Sequence, residues 1–269
     1  MNENALREAL VEVGRRLYAR EYTVAGDGNI SARLPGSADI LATPTGVCKG
    51  FLTPEMLVRV GPDGLKRDGS HDPSSELAMH LVIYRLRPDV HAVVHAHPPS
   101  GTGFAAAGLP LDKALISEVV LTLGCIPLAA YGTPTTQELA DSVAAFVPTY
   151  DALLLANHGA LTYGPTLDAA YFRMETLEHF ARISLVAKLL GTERPLDPVS
   201  IEKLFAIRER SGLRSPTPLT CWPEGPPQSA PDSSDERITL RRGDLVELIA
   251  ESVELAARLL SAQAGPVKK

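Results

Sequence analysis

Three histidines follow apolar runs at spacings that suit a metal ion. His95 and His97 lie two residues apart in a short run that begins at His91, and His158 ends a second run further along the chain. Side chains at positions i and i+2 of a β-strand point to the same face, so His95 and His97 can converge on one ion. His158 would complete a three-imidazole site with an open coordination position, which is the arrangement of a catalytic zinc ion.

The alternative for any histidine is an ordinary surface position or a hydrogen-bonded place in the core. We assign that alternative to His80 and His179, which lie within predicted helices, and to His71 in a polar loop. His91 lies near the predicted solvent end of its strand and is the weaker ligand candidate. An unpartnered imidazole is costly at the end of a strand as apolar as residues 92–94. Neutral imidazoles without a neighbouring cysteine favour zinc, with other divalent ions possible.

Glu76 follows Ser74 and Ser75 at the predicted start of a helix. A carboxylate in the first turn interacts favourably with the helix dipole, and its position alone favours this simple explanation. The functional alternative is a displaceable fourth ligand or a general acid/base beside the metal. Burial in a closed pocket can raise the pKa of a carboxyl group enough for proton transfer.

Three turn-like segments, residues 28–31, 43–46 and 74–75, contain glycines and small hydroxyl residues. Such backbone lets main-chain N–H groups approach a phosphate group, and a helix N-terminus favours its negative charge. Lys49 could add a positive charge near the second segment or could be solvated. Each segment is equally explained by the ordinary preference of Ser and Thr for turns and caps.

The elements that would position these residues alternate between strands and helices. The pattern predicts helices over residues 6–22, 76–87, 136–147, 167–190 and 200–210, and strands over residues 29–34, 39–43, 57–60, 91–97, 126–131 and 152–156. Ser74 or Ser75 is the predicted N-cap of the second helix. The alternation predicts an α/β fold with stacked layers, and the short hairpins argue against an all-parallel sheet.

The chain divides into three predicted segments. Residues 1–212 contain the regular pattern and are the predicted catalytic domain. Residues 213–237 are a proline-rich arm that cannot bury a core. Residues 238–269 contain a capped amphipathic helix that would pack either on its own domain or on a neighbouring subunit in an oligomer.

Composition excludes several classes of function. The chain has 269 residues, a formal net charge of −6 and no run of Lys and Arg, so we expect no nucleic-acid partner. No apolar run approaches the roughly 18 to 20 residues that span a bilayer, so we expect no membrane partner. The polar first residues do not resemble a signal peptide, and we expect a cytoplasmic protein.

Several motifs in order carry a resemblance over roughly residues 5 to 190. They are Gly28-Asn29-Ile30-Ser31, Thr43-Pro44-Thr45-Gly46, Ser74-Ser75-Glu76, Arg87-Pro88-Asp89 before Val93-Val94-His95-Ala96-His97, and Asn157-His158-Gly159. Together they resemble the class II aldolase/adducin family. The resemblance implies a three-layer α/β/α sandwich with a mixed, mostly antiparallel central sheet. It also implies a homotetramer with active sites between subunits.

The resemblance implies a role for each matching residue. One zinc ion per chain is held by His95, His97 and His158, and Glu76 is the acid/base. The implied cradle for the phosphate of a sugar substrate comprises Asn29, Thr45, Gly46, Ser74 and Ser75.

The implied reaction is that of a zinc-dependent class II aldolase. A phosphorylated ketose of the L-fuculose-1-phosphate type is cleaved by a retro-aldol reaction, through a zinc-stabilised enediolate, to dihydroxyacetone phosphate and an aldehyde. In the family's fuculose enzyme a tyrosine from the neighbouring subunit handles the aldehyde oxygen. The corresponding stretch here, residues 114–118, has no tyrosine, and Ser117 or Glu118 could replace that donor.

Two other readings remain on the same scaffold. One is a decarboxylase, epimerase or dehydratase acting on a phosphorylated sugar or sugar acid. The family's epimerases have Asp at the position of Glu76, which argues against that option. The other is a non-enzymatic interaction module like adducin. The intact set of His95, His97, His158 and Glu76 argues against it, because a structural module need not retain a complete ligand set.

Overall fold

The computed structural model describes residues 2–212 of the chain. The helices are α1 (Glu3–Ala19), α2 (Leu77–Leu86), α3 (Pro99–Ala106), α4 (Ser117–Thr122), α5 (Gln137–Ala144), α6 (Leu167–Leu189) and α7 (Pro198–Arg210). The strands are β1 (Asn29–Arg33), β2 (Ile40–Ala42), β3 (Val58–Val60), β4 (Lys66–Asp68), β5 (Ala92–Ala96), β6 (Leu128–Ala129), β7 (Ala152–Leu155) and β8 (Gly159–Gly164). The predicted arm, residues 213–237, and the predicted C-terminal helix, residues 238–269, lie outside the described residues.

The strands form one sheet in the order β4-β3-β2-β1-β5-β8-β7-β6. Every neighbouring pair is antiparallel except β6 and β7, which run parallel. The prediction of a mixed, mostly antiparallel sheet is confirmed. Strand β5 lies inside the sheet between β1 and β8, and its five residues are all buried.

Alternate residues of the central strands face two separate cores. Val93 of β5 and Leu161 of β8 pack with residues of α2 and α5 on one face. Val94 of β5 and Leu154 of β7 pack with residues of α1, α3 and α6 on the other. Successive side chains of a strand point to opposite faces, so a strand that is apolar throughout must be covered on both sides. The expected three-layer α/β/α sandwich is confirmed.

The pairing of β5 with its neighbours places the predicted site at one end of the central strands. Asn29, the first residue of β1, lies directly opposite His95, near the end of β5. The hairpin between β7 and β8 turns at Asn157, whose φ of 53° lies in the left-handed region, and so places His158 beside the same end. Asn adopts this backbone conformation more readily than most residues.

Three local predictions differ from the structure. Helix α2 begins after Glu76, which is itself the N-cap, so the prediction of Ser74 or Ser75 as the cap is wrong. Strand β4 was missed because its three exposed residues are all charged and show no apolar alternation. Helix α4 was missed because six residues are too few to establish a helical period.

None of the helices within residues 2–212 is long and apolar enough to cross a membrane. The longest of them, α6, has 23 residues, and acidic and basic side chains recur along it.

Asp151 directly precedes β7, at the end of that strand opposite His158, and its ion pairs can be tested by substitution. Its buried carboxylate lies 3.1 Å from the guanidinium of Arg87 and 2.7 Å from that of Arg173. Asp151→Ala leaves two partly buried cations without this partner, and we expect it to lower the free energy of unfolding by about 3 kcal/mol in urea titrations. Arg15→Ala, which breaks an exposed pair with Glu12, is the control and should leave the stability nearly unchanged. Equal effects of the two substitutions would contradict this assignment.

Candidate metal centre

His95, His97 and His158 come together at the end of β5. Each offers a ring nitrogen, and these nitrogens all lie within 4.8 Å of one another. The ring centroids are 4.7 to 5.2 Å apart. Alternation along β5 directs both of its histidines to one place, and the β7–β8 hairpin supplies the third. The sequence-predicted cluster therefore forms in the structure.

Contacts behind two of the rings indicate which nitrogen of each faces the cluster. The Nδ1 atom of His95 lies 3.0 Å from the carbonyl oxygen of Ala160, which can only accept, so Nδ1 bears the proton. The Nε2 lone pair of His95 is then free, and it lies 3.2 Å from Nε2 of His97. On the outer side, Nδ1 of His97 lies 3.6 Å from a carboxylate oxygen of Asp27. A carboxylate behind a histidine commonly fixes the orientation of a metal-binding ring.

Glu76 lies against two of the three rings. Its carboxylate oxygens are 3.2 Å from Nε2 of His158 and 3.4 Å from Nε2 of His95. The side-chain amide of Asn29 donates a hydrogen bond of 2.8 Å to the same carboxylate. The cluster thus joins three imidazoles to one acidic group.

The pKa shifts of Glu76, His95 and His97 describe a charged carboxylate near two neutral rings. Burial acts to raise the pKa of Glu76, but the hydrogen bond from His158, the neighbouring His95 and the Asn29 amide together hold that pKa well below its ordinary range. Burial lowers the pKa of His95 and His97 below that of a free histidine. The expectation that a closed pocket would raise the pKa of Glu76 is therefore reversed, because the neighbours outweigh the burial. Neutral imidazole is the form that binds metals.

Gly159 makes room for the two rings on β5. A Cβ atom built at Gly159 would lie 2.5 Å from a carbon of the His97 ring and 2.7 Å from the backbone oxygen of Ala96. Both separations are shorter than any normal contact, so a side chain at this position would displace the His97 ring. In this motif Asn157 makes the turn, His158 is a candidate ligand and Gly159 leaves space for the ring of His97.

The residues present fit a divalent metal ion. The Nδ1 atom of His158 is buried and has no hydrogen-bond partner among residues 2–212. The donors themselves carry the fit, because three ring nitrogens lie within 4.8 Å of one another and a carboxylate lies beside them. Three imidazoles and a carboxylate, with no thiolate, suit zinc and related divalent ions.

Two of the predicted anion-binding turns lie side by side. The amide of Ser74 donates to the carbonyl oxygen of Thr43 at 3.1 Å, and the amide of Thr45 donates to that of Asp72 at 3.0 Å. These bonds align the loop containing Gly46 with the loop containing Ser75. Both residues are exposed, and neither of their amide N–H groups has an acceptor among residues 2–212. Free N–H groups in adjacent turns form a concave donor surface that suits an anion.

Asn29 is placed differently from the rest of the predicted cradle. Its side chain is buried, with Nδ2 bonded to Glu76 and Oδ1 bonded to His80. Both ends of the amide are occupied in this structure, so the side chain is held at the carboxylate. The sequence gives no sign of this contact, because Asn29 is separated from Glu76 and His80 by 47 and 51 positions along the chain.

Lys49 is buried at the junction of two loops. Its ammonium group donates to the carbonyl oxygens of Gly26 and Val47, at 3.0 and 2.6 Å. It has no acidic partner within 4 Å in the described part of the chain, and burial lowers its pKa. The cation connects the loop before Asn29 to the loop that contains Gly46. The alternative of a solvated Lys49 is therefore wrong.

The other candidate positions lie apart from the cluster. His91 is exposed, and Glu118 in the stretch without a tyrosine is also exposed. Glu118 lines a surface cavity of about 770 Å³ with Arg20, Tyr22 and Glu178, and none of the clustered histidines lines it.

Comparison with known proteins identifies relatives of two activities. The Class II Aldolase and Adducin N-terminal domain matches residues 8–185. The 3-oxo-tetronate 4-phosphate decarboxylase of Escherichia coli strain K12 is 34% identical over 210 residues, which cover 77% of this chain and 96% of that enzyme. The L-fuculose phosphate aldolase of Methanococcus maripaludis strain S2 is 35% identical over 176 residues, which cover 65% of this chain and 94% of that enzyme. Identity alone therefore does not separate the two activities.

A solved structure agrees with the fold. An L-fuculose 1-phosphate aldolase, 29% identical, superposes with a TM-score of 0.71 and covers 76% of this chain and 95% of its own.

Metal content tests the cluster directly. We expect the purified protein to bind about one divalent ion per chain, because three neutral imidazoles leave room for one. His95→Ala should lose most of that metal in elemental analysis after dialysis. His91→Ala, which changes an exposed histidine just before the same strand, is the matched control and should retain it. No metal in the unmodified protein, or equal loss in both variants, would contradict this assignment.

Proposed function

The chain belongs to the class II aldolase and adducin family, and from that premise we propose that it is a metal-dependent carbon–carbon lyase acting on a phosphorylated sugar. The observation that supports this most directly is a charged carboxylate, Glu76, held within 3.4 Å of two imidazoles of a three-histidine cluster. A non-enzymatic module has no need for such a set.

We assign the metal to His95, His97 and His158, and zinc is the ion that we propose. When bound, zinc supplies a Lewis acid that draws electrons from a carbonyl oxygen and stabilises the charge that develops there. The protein's part is to orient the three rings and to keep His95 and His97 neutral. Burial lowers the pKa of His95, and its bond to Ala160 leaves Nε2 unprotonated.

The phosphate group of the substrate would bind in the adjacent turns. Gly46 and Ser75 present free amide N–H groups there, and the side chains of Thr45 and Ser74 add hydroxyls. Lys49 holds a buried positive charge behind these loops, which favours a phosphate dianion over a neutral group. Asn29 links this region to the carboxylate of Glu76.

Glu76 would handle the proton. Breaking the carbon–carbon bond leaves its electron pair on the phosphate-bearing fragment, which becomes the enediolate of dihydroxyacetone phosphate. A proton must then reach the carbon that lost its bond, and the same proton is removed in the reverse direction. Glu76 as a carboxylate would take that proton in the reverse direction, and in the cleavage direction it would deliver a proton that it has first taken up from solvent.

The first candidate for the other product is an aldehyde. A phosphorylated ketose would be cleaved by a retro-aldol reaction, as the name of the Methanococcus relative describes for L-fuculose phosphate. This reaction also requires removal of a proton from the substrate hydroxyl that becomes the aldehyde. In the homotetramer that we propose on the family resemblance, Glu118 of a second copy would take that proton and Ser117 could donate a hydrogen bond to the same oxygen, because residues 114–118 include no tyrosine.

The second candidate for the other product is carbon dioxide. The Escherichia coli relative is named for 3-oxo-tetronate 4-phosphate, a 3-keto acid whose loss of carbon dioxide leaves the same enediolate. That loss requires no proton removal from the departing fragment. The missing tyrosine in residues 114–118 is therefore a specific observation in favour of this candidate.

A product assay separates the two candidates. The zinc-loaded protein is incubated with a panel of phosphorylated ketoses and with 3-oxo-tetronate 4-phosphate. We expect dihydroxyacetone phosphate, measured by its enzymatic reduction with NADH, together with an equal amount of aldehyde from one ketose. Carbon dioxide released from the keto acid in place of the aldehyde would establish the second candidate. Dihydroxyacetone phosphate from none of these substrates would contradict the proposal of a lyase.

Glu76→Gln isolates the proton step. The amide keeps the shape of the side chain but cannot hold the proton, so we expect turnover to fall by about 10²- to 10⁴-fold. Metal content should stay close to that of the unmodified protein. Glu138→Gln changes an exposed carboxylate at the start of α5 and should retain full turnover. Unchanged turnover in Glu76→Gln would exclude this residue as the acid/base.

A further inference from the structure

His80 lies in the middle of α2, is 1% exposed, and has a hydrogen-bond partner at each ring nitrogen. Its Nε2 atom lies 2.5 Å from Oδ1 of Asn29, and its Nδ1 atom lies 2.7 Å from Oγ of Ser31. The Ser31 hydroxyl lies 2.9 Å from the hydroxyl of Tyr84. Asn29 in turn donates to Glu76 at 2.8 Å. Five side chains therefore form one continuous chain of hydrogen bonds that ends at the carboxylate.

The geometry at Asn29 fixes the direction of the first two bonds. The amide nitrogen lies 2.8 Å from a carboxylate oxygen of Glu76, so the amide oxygen faces Nε2 of His80. That oxygen can only accept, so Nε2 of His80 must donate the hydrogen. A rotated Asn29 amide would place its oxygen against the carboxylate of Glu76, which is repulsive.

Burial fixes the direction of the remaining bonds. The His80 ring is fully enclosed, which lowers its pKa to about 4 and keeps the ring neutral. A neutral ring with its proton on Nε2 must accept at Nδ1, so the Ser31 hydroxyl donates to it. The oxygen of Ser31 is then available only as an acceptor, and the Tyr84 hydroxyl donates to it.

We propose that His80 is a positioning residue for catalysis. Its Nε2–H holds the Asn29 amide in the one orientation that donates to Glu76, at the end of a chain of donors that runs from Tyr84 through Ser31. The proposed effect of His80 on catalysis rests on the proposed function of Glu76. The direction of the hydrogen bonds does not depend on that function, because it follows from the hydrogen-bond geometry alone.

The arrangement would matter for the reaction in two ways. Successive hydrogen bonds that all point the same way polarise one another, so the bond from Asn29 to Glu76 is stronger than an isolated amide bond. The Asn29 amide also keeps the carboxylate in place against His95 and His158. Without His80 the amide is free to rotate, and Glu76 loses a fixed donor.

A purely structural role for His80 makes a different prediction. A buried polar residue that only stabilises α2 would lower stability when replaced, without changing the Asn29 amide or turnover per folded molecule. Comparison of His80→Leu with His80→Gln separates the two roles. Leucine removes both hydrogen bonds and fills a similar volume, whereas the amide nitrogen of glutamine can still donate to Asn29.

The first experiment needs no substrate. In protein labelled with ¹⁵N-histidine, the nitrogen shifts of His80 should show a neutral ring protonated on Nε2 from about pH 6 to pH 8. The side-chain NH₂ protons of Asn29 should exchange slowly with water, become fast in His80→Leu and stay slow in His80→Gln. A proton on Nδ1, a charged ring, or an Asn29 amide unaffected by His80→Leu would overturn the proposal, whatever reaction the protein performs.

The second experiment measures turnover. We expect His80→Leu to lower kcat by about 10- to 100-fold with little change in KM or in metal content, which is the range seen when a residue behind a catalytic group is removed. His80→Gln should recover most of the loss. Thr162→Val removes an unrelated buried hydrogen bond to the carbonyl oxygen of Ala170 and should leave kcat unchanged.

A negative result in one experiment does not decide the outcome of the other. An unmodified protein that produces no dihydroxyacetone phosphate contradicts the proposed lyase, while the nuclear magnetic resonance result still decides the direction and role of the chain. Equal kcat in His80→Leu and the unmodified enzyme, with the chain confirmed, would show that His80 orders Asn29 without any effect on catalysis and would overturn the positioning role.

Discussion

A buried, charged carboxylate beside a cluster of three imidazoles is the interaction on which the rest of the site depends. Glu76 is mostly buried, and a buried charge is costly unless it is paired or hydrogen-bonded. Here the compensation comes from Asn29 and His158, and His95 lies against the same carboxylate. Each of these partners is itself held by a further bond or by the backbone of the central strands. A change in any one of them therefore alters the charge and the place of the carboxylate.

The sheet is built so that these partners meet. Strand β5 lies between β1 and β8, so Asn29 and the β7–β8 hairpin are brought to the same end as His95. Two glycines permit this close approach. A Cβ atom at Gly28 would lie 2.8 Å from the carbonyl oxygen of His95, and one at Gly159 would strike the His97 ring. The motifs that contain these glycines are thus requirements of packing as much as of chemistry.

The sequence predicted the ligand cluster because its causes are local. Alternation along a strand places His95 and His97 on one face, and a tight hairpin brings His158 to the end of a buried strand. The chain from Tyr84 to Glu76 could not be predicted in this way. It joins residues of β1 and α2 that meet only after the sheet has formed, and its direction depends on burial. Lys49 and the pKa of Glu76 were unpredictable for the same reason, since both depend on what surrounds them.

In the proposed mechanism, Glu76 exchanges a proton with the carbon of dihydroxyacetone phosphate that forms the new bond. This exchange can be measured by incubating the zinc-loaded protein with dihydroxyacetone phosphate alone in deuterium oxide and following the carbon-bound hydrogens by nuclear magnetic resonance. The measurement is independent of which second product the enzyme releases. We expect the unmodified protein to replace one hydrogen of the hydroxymethyl carbon with deuterium and Glu76→Gln to replace none at a comparable rate. Equal exchange by both proteins, or no exchange by the unmodified protein, would contradict this role of Glu76.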